Sequence, residues 1–246
     1  METGIQISSL KPLLTTEEEV RSAFKKVAAL GCQVVQLQWV DPAVPVEAVA
    51  AAVAEAGLKN VSVQDFYETV RQNSDYYIRL NQLTGGQWLC VSRVPDRLKS
   101  REGLDAYVAE LRALQARIDP LGQKLCFHPV AADYAPIDGV VPVEYLLGAM
   151  PQLQLCLDLY HLNRSGYQMP AWIRAHAGRV CMVHFKDGKD GKLTPAGQGD
   201  TDWRGVVEAC LETGVAYGFV EQESWDRDPF DCLGEALAWL NAQARG

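Results

Sequence analysis

Four short apolar runs in this 246-residue chain each stop at groups that bind metals or move protons. LQLCL ends at Asp158, with His161 three residues on. RVCMV ends at His184, with Lys186 and Asp187 behind it, and AYGFV ends at Glu221, followed by Gln222 and Glu223. An earlier run, QKLCF, ends at His128. Two carboxylates and an imidazole form a mixed nitrogen and oxygen donor set that suits Mn, Co, Zn or Mg and leaves positions open for water or substrate oxygens. Asp158, His184 and Glu221 are therefore read as ligands of one divalent metal ion. Glu221 and His128 are also candidates to take a proton from a substrate. Lys186 lies two residues beyond His184, on the same strand face, and is either solvated or a pocket cation that neutralises an oxyanion.

Bringing four strand ends together requires a particular frame. Along the chain, β-type runs alternate with amphipathic segments: IQIS (Ile5–Ser8), QVVQLQ (Gln33–Gln38), NVSV (Asn60–Val63), GGQWLCVS, QKLCFH, LQLCLD, RVCMVH and AYGFVE. Helices are expected between them. One follows Thr15 and Thr16, with Glu17, Glu18 and Glu19 in its first turn and Gly31 as its stop. Others open at Pro45, run from about Glu68 to Leu83 and from Leu104 to Ile118, span Pro170 to Ala177, start after Asp202 and run from Phe230 to Ala242. Eight units at roughly thirty residues each, with strands that lack strict alternation, predict a single closed (β/α)8 barrel spanning 1–246. In such a barrel the C-terminal strand ends face one mouth, so His128, Asp158, His184 and Glu221 should meet there. No GxGxxG follows the first strand, which argues against an open dinucleotide-binding sheet.

Charge and composition narrow the partners. The formal net charge is −8, so the global field repels phosphate backbones, and nucleic acid is not an expected partner. No basic leader or run of about 20 apolar residues is evident, so no membrane association and a cytoplasmic location are expected. Seven cysteines without a CxxC pair read as reduced core residues. The oligomeric state stays open, a homodimer included.

Other polar residues admit two readings each. His161 either orients a ligand, lines the pocket or packs on the next helix. Gln36 and Gln38 flank Leu37, giving their strand a polar face at the mouth that suits sugar hydroxyls. In HPVAADYAP, Asp133 is either a turn residue or, with His128 as the alternative, the fourth metal contact. Gly197 and Gly199 in TPAGQGDTDW permit a backbone cradle for an anion, whereas Asp202 as a helix N-cap with Trp203 packed at the rim is the structural reading. Trp39, Trp88 and Tyr160 either wall a sugar ring or pack in the core. The candidate substrate contacts are thus His161, Gln38 and Trp203.

The motifs DLYHLNRSG (Asp158–Gly166), VHFKD (Val183–Asp187), GQGDTDW (Gly197–Trp203) and FVEQE (Phe219–Glu223) resemble the sugar phosphate isomerase/epimerase family, a xylose isomerase-like TIM barrel group related to endonuclease IV. The resemblance runs over essentially the whole chain. It implies Asp158, His184 and Glu221 as ligands of a divalent cation, a small sugar or sugar-derived substrate, and isomerisation or epimerisation through a metal-stabilised enediolate. Many members carry a glutamate at the end of strand five. Here CFHPVAADY stands in that place, similar to the branch with a histidine-rich motif followed by an acidic residue, so the fourth ligand lies between His128 and Asp133. The alternatives are phosphodiester hydrolysis of the endonuclease IV kind and a non-catalytic sugar-binding barrel.

Overall fold

A computed structural model describes residues 1–244; positions 245 and 246, the end of the expected domain, lie outside the described residues. The barrel strands are β1 (Glu2–Gln6), β2 (Val34–Gln38), β3 (Lys59–Phe66), β4 (Trp88–Ser92), β5 (Lys124–His128), β6 (Gln154–Asp158) and β7 (Val180–Phe185). A small hairpin follows, formed by β8 (Asp187–Lys189) and β9 (Lys192–Thr194), and the last barrel strand is β10 (Tyr217–Val220). The eight long-range strands pair in parallel, in chain order, and β10 closes on β1. This is the expected (β/α)8 barrel.

Strand period explains how the barrel sorts its residues. Alternate positions point inward, and Cys90, Cys126, Cys156, Met182 and Phe219 form a buried cluster with Val34, Val61, Trp88 and Tyr217 that is separate from the larger core. The residues two positions further on are Ser92 after Cys90, His128 after Cys126, Asp158 after Cys156, His184 after Met182 and Glu221 after Phe219. The same inward face thus changes from apolar to polar as it reaches the mouth. Residues of the opposite parity, such as Leu89, Val91, Leu125, Phe127, Leu157, Val183 and Phe185, join the core beneath the helices.

Four local expectations are corrected. The first strand is Glu2–Gln6, not Ile5–Ser8, because its pairing with β10 begins at Glu2 and the chain then turns into a 3-10 helix over Ile7–Leu13. Gly4 permits the close approach to β2: a Cβ there would collide with the Val34 carbonyl oxygen. The single helix expected from Glu68 to Leu83 is two, Tyr67–Gln72 and Ser74–Leu83, broken at Asn73 by a non-helical backbone. Asp202 caps no helix. It pairs with Arg204 on the surface, and the helix Val206–Glu212 is entered through Gly205 in the left-handed region at φ 70°. The β8–β9 hairpin was not expected, although its Asp190-Gly191 turn, with φ of 50° and 78°, has the type I′ composition. No described helix is long and apolar enough to cross a membrane.

Candidate metal centre

Strand register places the acceptors side by side. Asp158 on β6 lies opposite His184 on β7, and Phe219 on β10 lies opposite His184 from the other side, so Glu221 follows immediately beyond it. His128 ends β5 opposite Ser92 of β4. One ligand atom each from His128, Asp158 and His184 lies within 4.8 Å of the other two. Glu221 Oε2 is 3.2 Å from His184 Nδ1. All four residues are at least 95% buried.

Asp158 serves two purposes at once. Its Oδ1 accepts the His161 N–H at 3.1 Å and caps the short helix Leu159–Arg164. Its Oδ2 faces His161 Nε2 at 3.7 Å and His128 Nε2 at 3.9 Å. The helix cap fixes the carboxylate plane, which aims the second oxygen into the cluster. His161 stands on the open side of the cluster with about a quarter of its side chain exposed, its ring edge-on to His128.

The donor set passes a direct test of fit for a cation. His128 Nε2, His184 Nδ1 and Glu221 Oε2 are buried and have no hydrogen-bond partner among the described residues. Buried polar atoms are almost always paired; His128 and His184 belong to the close group with Asp158, Glu221 Oε2 adjoins it at His184 Nδ1, and nitrogen and oxygen donors of these types suit a divalent cation. The surrounding bonds hold each group in place: Ser8 Oγ donates to Glu221 Oε1 at 3.0 Å, Ser92 Oγ meets His128 Nδ1 at 3.2 Å, and Gln36 Oε1 lies 2.6 Å from His184 Nε2.

Charge states follow from burial and neighbours. Burial pushes His128 down to about 3, and the Asp158 and Glu221 carboxylates only partly offset it. The imidazole is therefore neutral, with a free lone pair. Burial opposes ionisation of Glu221, but the Lys186 ammonium, the largest opposing influence, holds the carboxyl well below the usual range. Burial together with the Glu221 charge raises Glu223 to about 7. Lys186 is opposed by burial but raised overall by Glu221, Asp158 and Glu223, and it donates to Glu223 Oε1 at 2.6 Å. The solvated alternative for Lys186 is thereby excluded: it is 8% exposed.

Asp133 does not reach the centre. Its Oδ1 accepts the Val94 N–H at 3.1 Å and its Oδ2 accepts the Val130 N–H at 2.9 Å, so it ties the β4 and β5 exits together, whereas His128 lies in the close group with Asp158 and His184. Asp133→Ala is expected to cost about 2 kcal/mol by stranding two amides while leaving divalent-metal content at the wild-type level. Urea denaturation together with metal analysis of the purified variant checks both halves.

Trp203 and the glycine loop are also employed differently from the expectation of substrate contact. The loop does form an anion cradle, but the anion is the chain's own Asp187. Its Oδ2 accepts from Gly197 N, Gly199 N and Trp203 Nε1, each at 3.0 Å, and its Oδ1 accepts from Gly188 N at 2.9 Å and Thr201 N at 3.3 Å. The Trp203 ring packs on Phe185 and Trp239. Trp88 opens β4, at the end away from the mouth, where its Nε1 donates to Gln154, so it walls no mouth-side pocket. Ser8, Ser92, Gln6 and Gln64 were not assigned any role from sequence. Gln6, between Ile5 and Ile7, and Gln64, directly after Val63, alternate with apolar residues as Gln36 and Gln38 do, which was the available signal.

The sequence matches the family profile described as xylose isomerase-like TIM barrel over residues 24–243. No curated protein matches this sequence. Among solved structures, a sugar phosphate isomerase/epimerase from Parabacteroides distasonis is similar at a TM-score of 0.81 and 15% identity, covering 99% of this chain and 93% of that one. A D-allulose 3-epimerase from Methylomonas sp. gives 0.73 and 17%, covering 99% and 98%. An AP endonuclease, family 2, from Brucella melitensis gives 0.73 and 15%, covering 98% of each chain. At these identities the likeness concerns the fold. With the profile spanning most of the chain and the closed barrel underneath it, this protein belongs to the xylose isomerase-like TIM barrel family.

Proposed function

We propose that the chain is a metal-dependent isomerase or epimerase acting on a small sugar, sugar phosphate or polyol. The observation that carries this reading is the gathering of buried ligand atoms of His128, Asp158 and His184 within 4.8 Å of one another, with Glu221 Oε2 3.2 Å from His184 Nδ1, at one barrel mouth. Held by Asp158, His184, Glu221 and His128, a divalent ion such as Mn, Co, Zn or Mg would polarise a substrate carbonyl and its neighbouring hydroxyl and so acidify the intervening C–H.

The chain's own groups then divide the remaining work. Glu221, kept ionised, is the candidate to take the proton through Oε1, the oxygen that meets the Ser8 hydroxyl, while Oε2 faces the ion; His128, kept neutral, takes it at Nε2 if the ion leaves that nitrogen free. The Lys186 ammonium stays protonated among three carboxylates and offsets negative charge developing on substrate oxygen. His161, at the open side, offers Nε2 to a hydroxyl. Gln38 accepts from Gln6 and Gln64 through Oε1, while its Nε2 makes no hydrogen bond among the described residues and is available as a donor. A sugar ligand is favoured over a nucleic acid by the net charge of −8, which gives a phosphate backbone no electrostatic gain.

The test combines metal analysis of the purified protein with a panel of aldoses, ketoses and their phosphates, supplied with Mn, Co, Mg or Zn in deuterated water. Metal-dependent interconversion with solvent deuterium at the reacting carbon is expected. Sugar binding without turnover would leave the non-catalytic reading, and cleavage of an abasic duplex without sugar turnover would leave the hydrolase reading.

A further inference from the structure

Four glutamines on the first three strands fill the barrel interior beside the metal centre, and none is more than 5% exposed: Gln6, Gln36, Gln38 and Gln64. Their amides bond to one another in a fixed sense. Gln6 Nε2 donates to Gln36 Oε1 and Gln38 Oε1, both at 3.1 Å; Gln36 Nε2 donates to Gln64 Oε1 at 3.0 Å and Ser62 Oγ at 3.3 Å; Gln64 Nε2 donates to Gln38 Oε1 at 3.2 Å. The direction is anchored where β1 ends, because the Ser8 backbone N–H can only donate, and it points at Gln6 Oε1 at 3.4 Å. Reversing the Gln36 amide alone would set two donors against each other at Gln6 and two acceptors against each other at Gln64.

We propose that this glutamine chain is a positioning device that holds His184 as the Nε2–H tautomer, leaving the Nδ1 lone pair aimed at the space beside Glu221. Gln36 Oε1 and His184 Nε2 are 2.6 Å apart, a separation that two lone pairs cannot share, so a proton lies between them. The oriented Gln36 amide offers oxygen there, so the proton belongs to the imidazole. In the neutral ring Nδ1 is then the bare nitrogen, 3.2 Å from Glu221 Oε2, a contact that a second ring proton would bridge in an imidazolium. Cys156 Sγ, 3.1 Å from the same Nε2, defines the rival arrangement. If its thiol donated to Nε2, the imidazole would carry its proton on Nδ1, and the Gln36 contact would become repulsive. His128 shows the contrast: its Nδ1 meets the Ser92 hydroxyl, which can donate or accept, so no tautomer is imposed. Ser8 serves both sides, orienting Gln6 with its backbone and Glu221 with its hydroxyl.

This inference deepens the metal-dependent reading and rests on it for its consequence, since a fixed donor tautomer lowers the cost of ligation. The tautomer is read on the metal-free wild type by long-range proton–nitrogen correlation of ring-labelled histidine, with His184→Gln identifying the resonance. A protonated Nε2 and a bare Nδ1 are expected; a protonated Nδ1 overturns the proposal whatever the variants do. Gln36→Leu should mix the tautomers and weaken Mn²⁺ binding by roughly 10- to 100-fold. Gln36→Glu, which restores an acceptor, should keep the Nε2–H form. A folded Gln36→Leu protein with an unchanged His184 signal and unchanged Mn²⁺ affinity would also overturn it. If the wild type binds no Mn²⁺, the metal-dependent reading fails, while the tautomer measurement still decides the proposal by itself.

Discussion

Replacing Asp158 with asparagine is expected to empty the metal centre while leaving the fold intact. The side chain serves the helix cap with Oδ1 and the cluster with Oδ2. Asparagine keeps an oxygen for the His161 N–H but turns an NH₂ group toward His128 and His161, where a cation needs a lone pair. Loss of a direct ligand should exceed the roughly 10- to 100-fold effect of losing an outer hydrogen bond, so Mn²⁺ affinity and turnover are expected to fall by more than about 100-fold. Glu221→Gln and His184→Ala should match that loss. Stability should part the variants. Metal-free Asp158→Asn should be as stable as metal-free wild type or slightly more so, because a buried charge has been removed, whereas Asp158→Ala also gives up the cap, worth about 1 kcal/mol. Calorimetric titration and thermal unfolding of the apo proteins measure both effects. An Asp158→Asn protein that binds Mn²⁺ as tightly as wild type would remove Asp158 from the centre.

The opposite pattern is expected at Asp187. That carboxylate is fully buried and gathers four backbone N–H groups and the Trp203 indole. Asp187→Ala strands these donors, and at about 1–3 kcal/mol for each one that water cannot reach, a total near 3 kcal/mol is expected. In a chain of this length that lowers Tm by roughly 6–12 °C. Gly199→Ala should act through the same contact, since a Cβ there would collide with Asp187 Oδ1 and the Gly188 carbonyl. Asp202→Asn, on the surface, should leave the unfolding midpoint unchanged. If Asp187→Ala melts with wild type, the loop is held by its ring packing on Phe185 and Trp239 and not by its anion. Taken together, the two series separate Asp158, at the end of β6, from Asp187, at the start of β8: the first is expected to govern metal binding and the second the loop wall.

The barrel, and the roles of Asp158, His184 and Glu221 as strand-end acceptors, were legible in the chain alone. They depend on local pattern: apolar runs of strand length, a unit repeat near thirty residues, and the rule that strand ends of one polarity share a face of the barrel. The short-range signals that failed did so where tertiary contacts outbid them. Asp133 reads equally as turn or ligand until Val94, far away in sequence, is seen to claim its Oδ1. The glycines of TPAGQGDTDW do announce an anion cradle, but nothing local reveals that Asp187, ten residues before the first of them, fills it. Asp202 has cap chemistry, yet the helix starts later because Gly205 supplies the left-handed turn into it. The order of amides from Ser8 through Gln6 and Gln36 to His184 joins β1, β2 and β7, which are far apart in the chain and meet only because the sheet closes on itself. Residue type and spacing determined which groups arrive at the mouth. Closure of the barrel decided which lone pairs are left unspent there, since hydrogen bonds between distant strands set the orientation of every amide and imidazole.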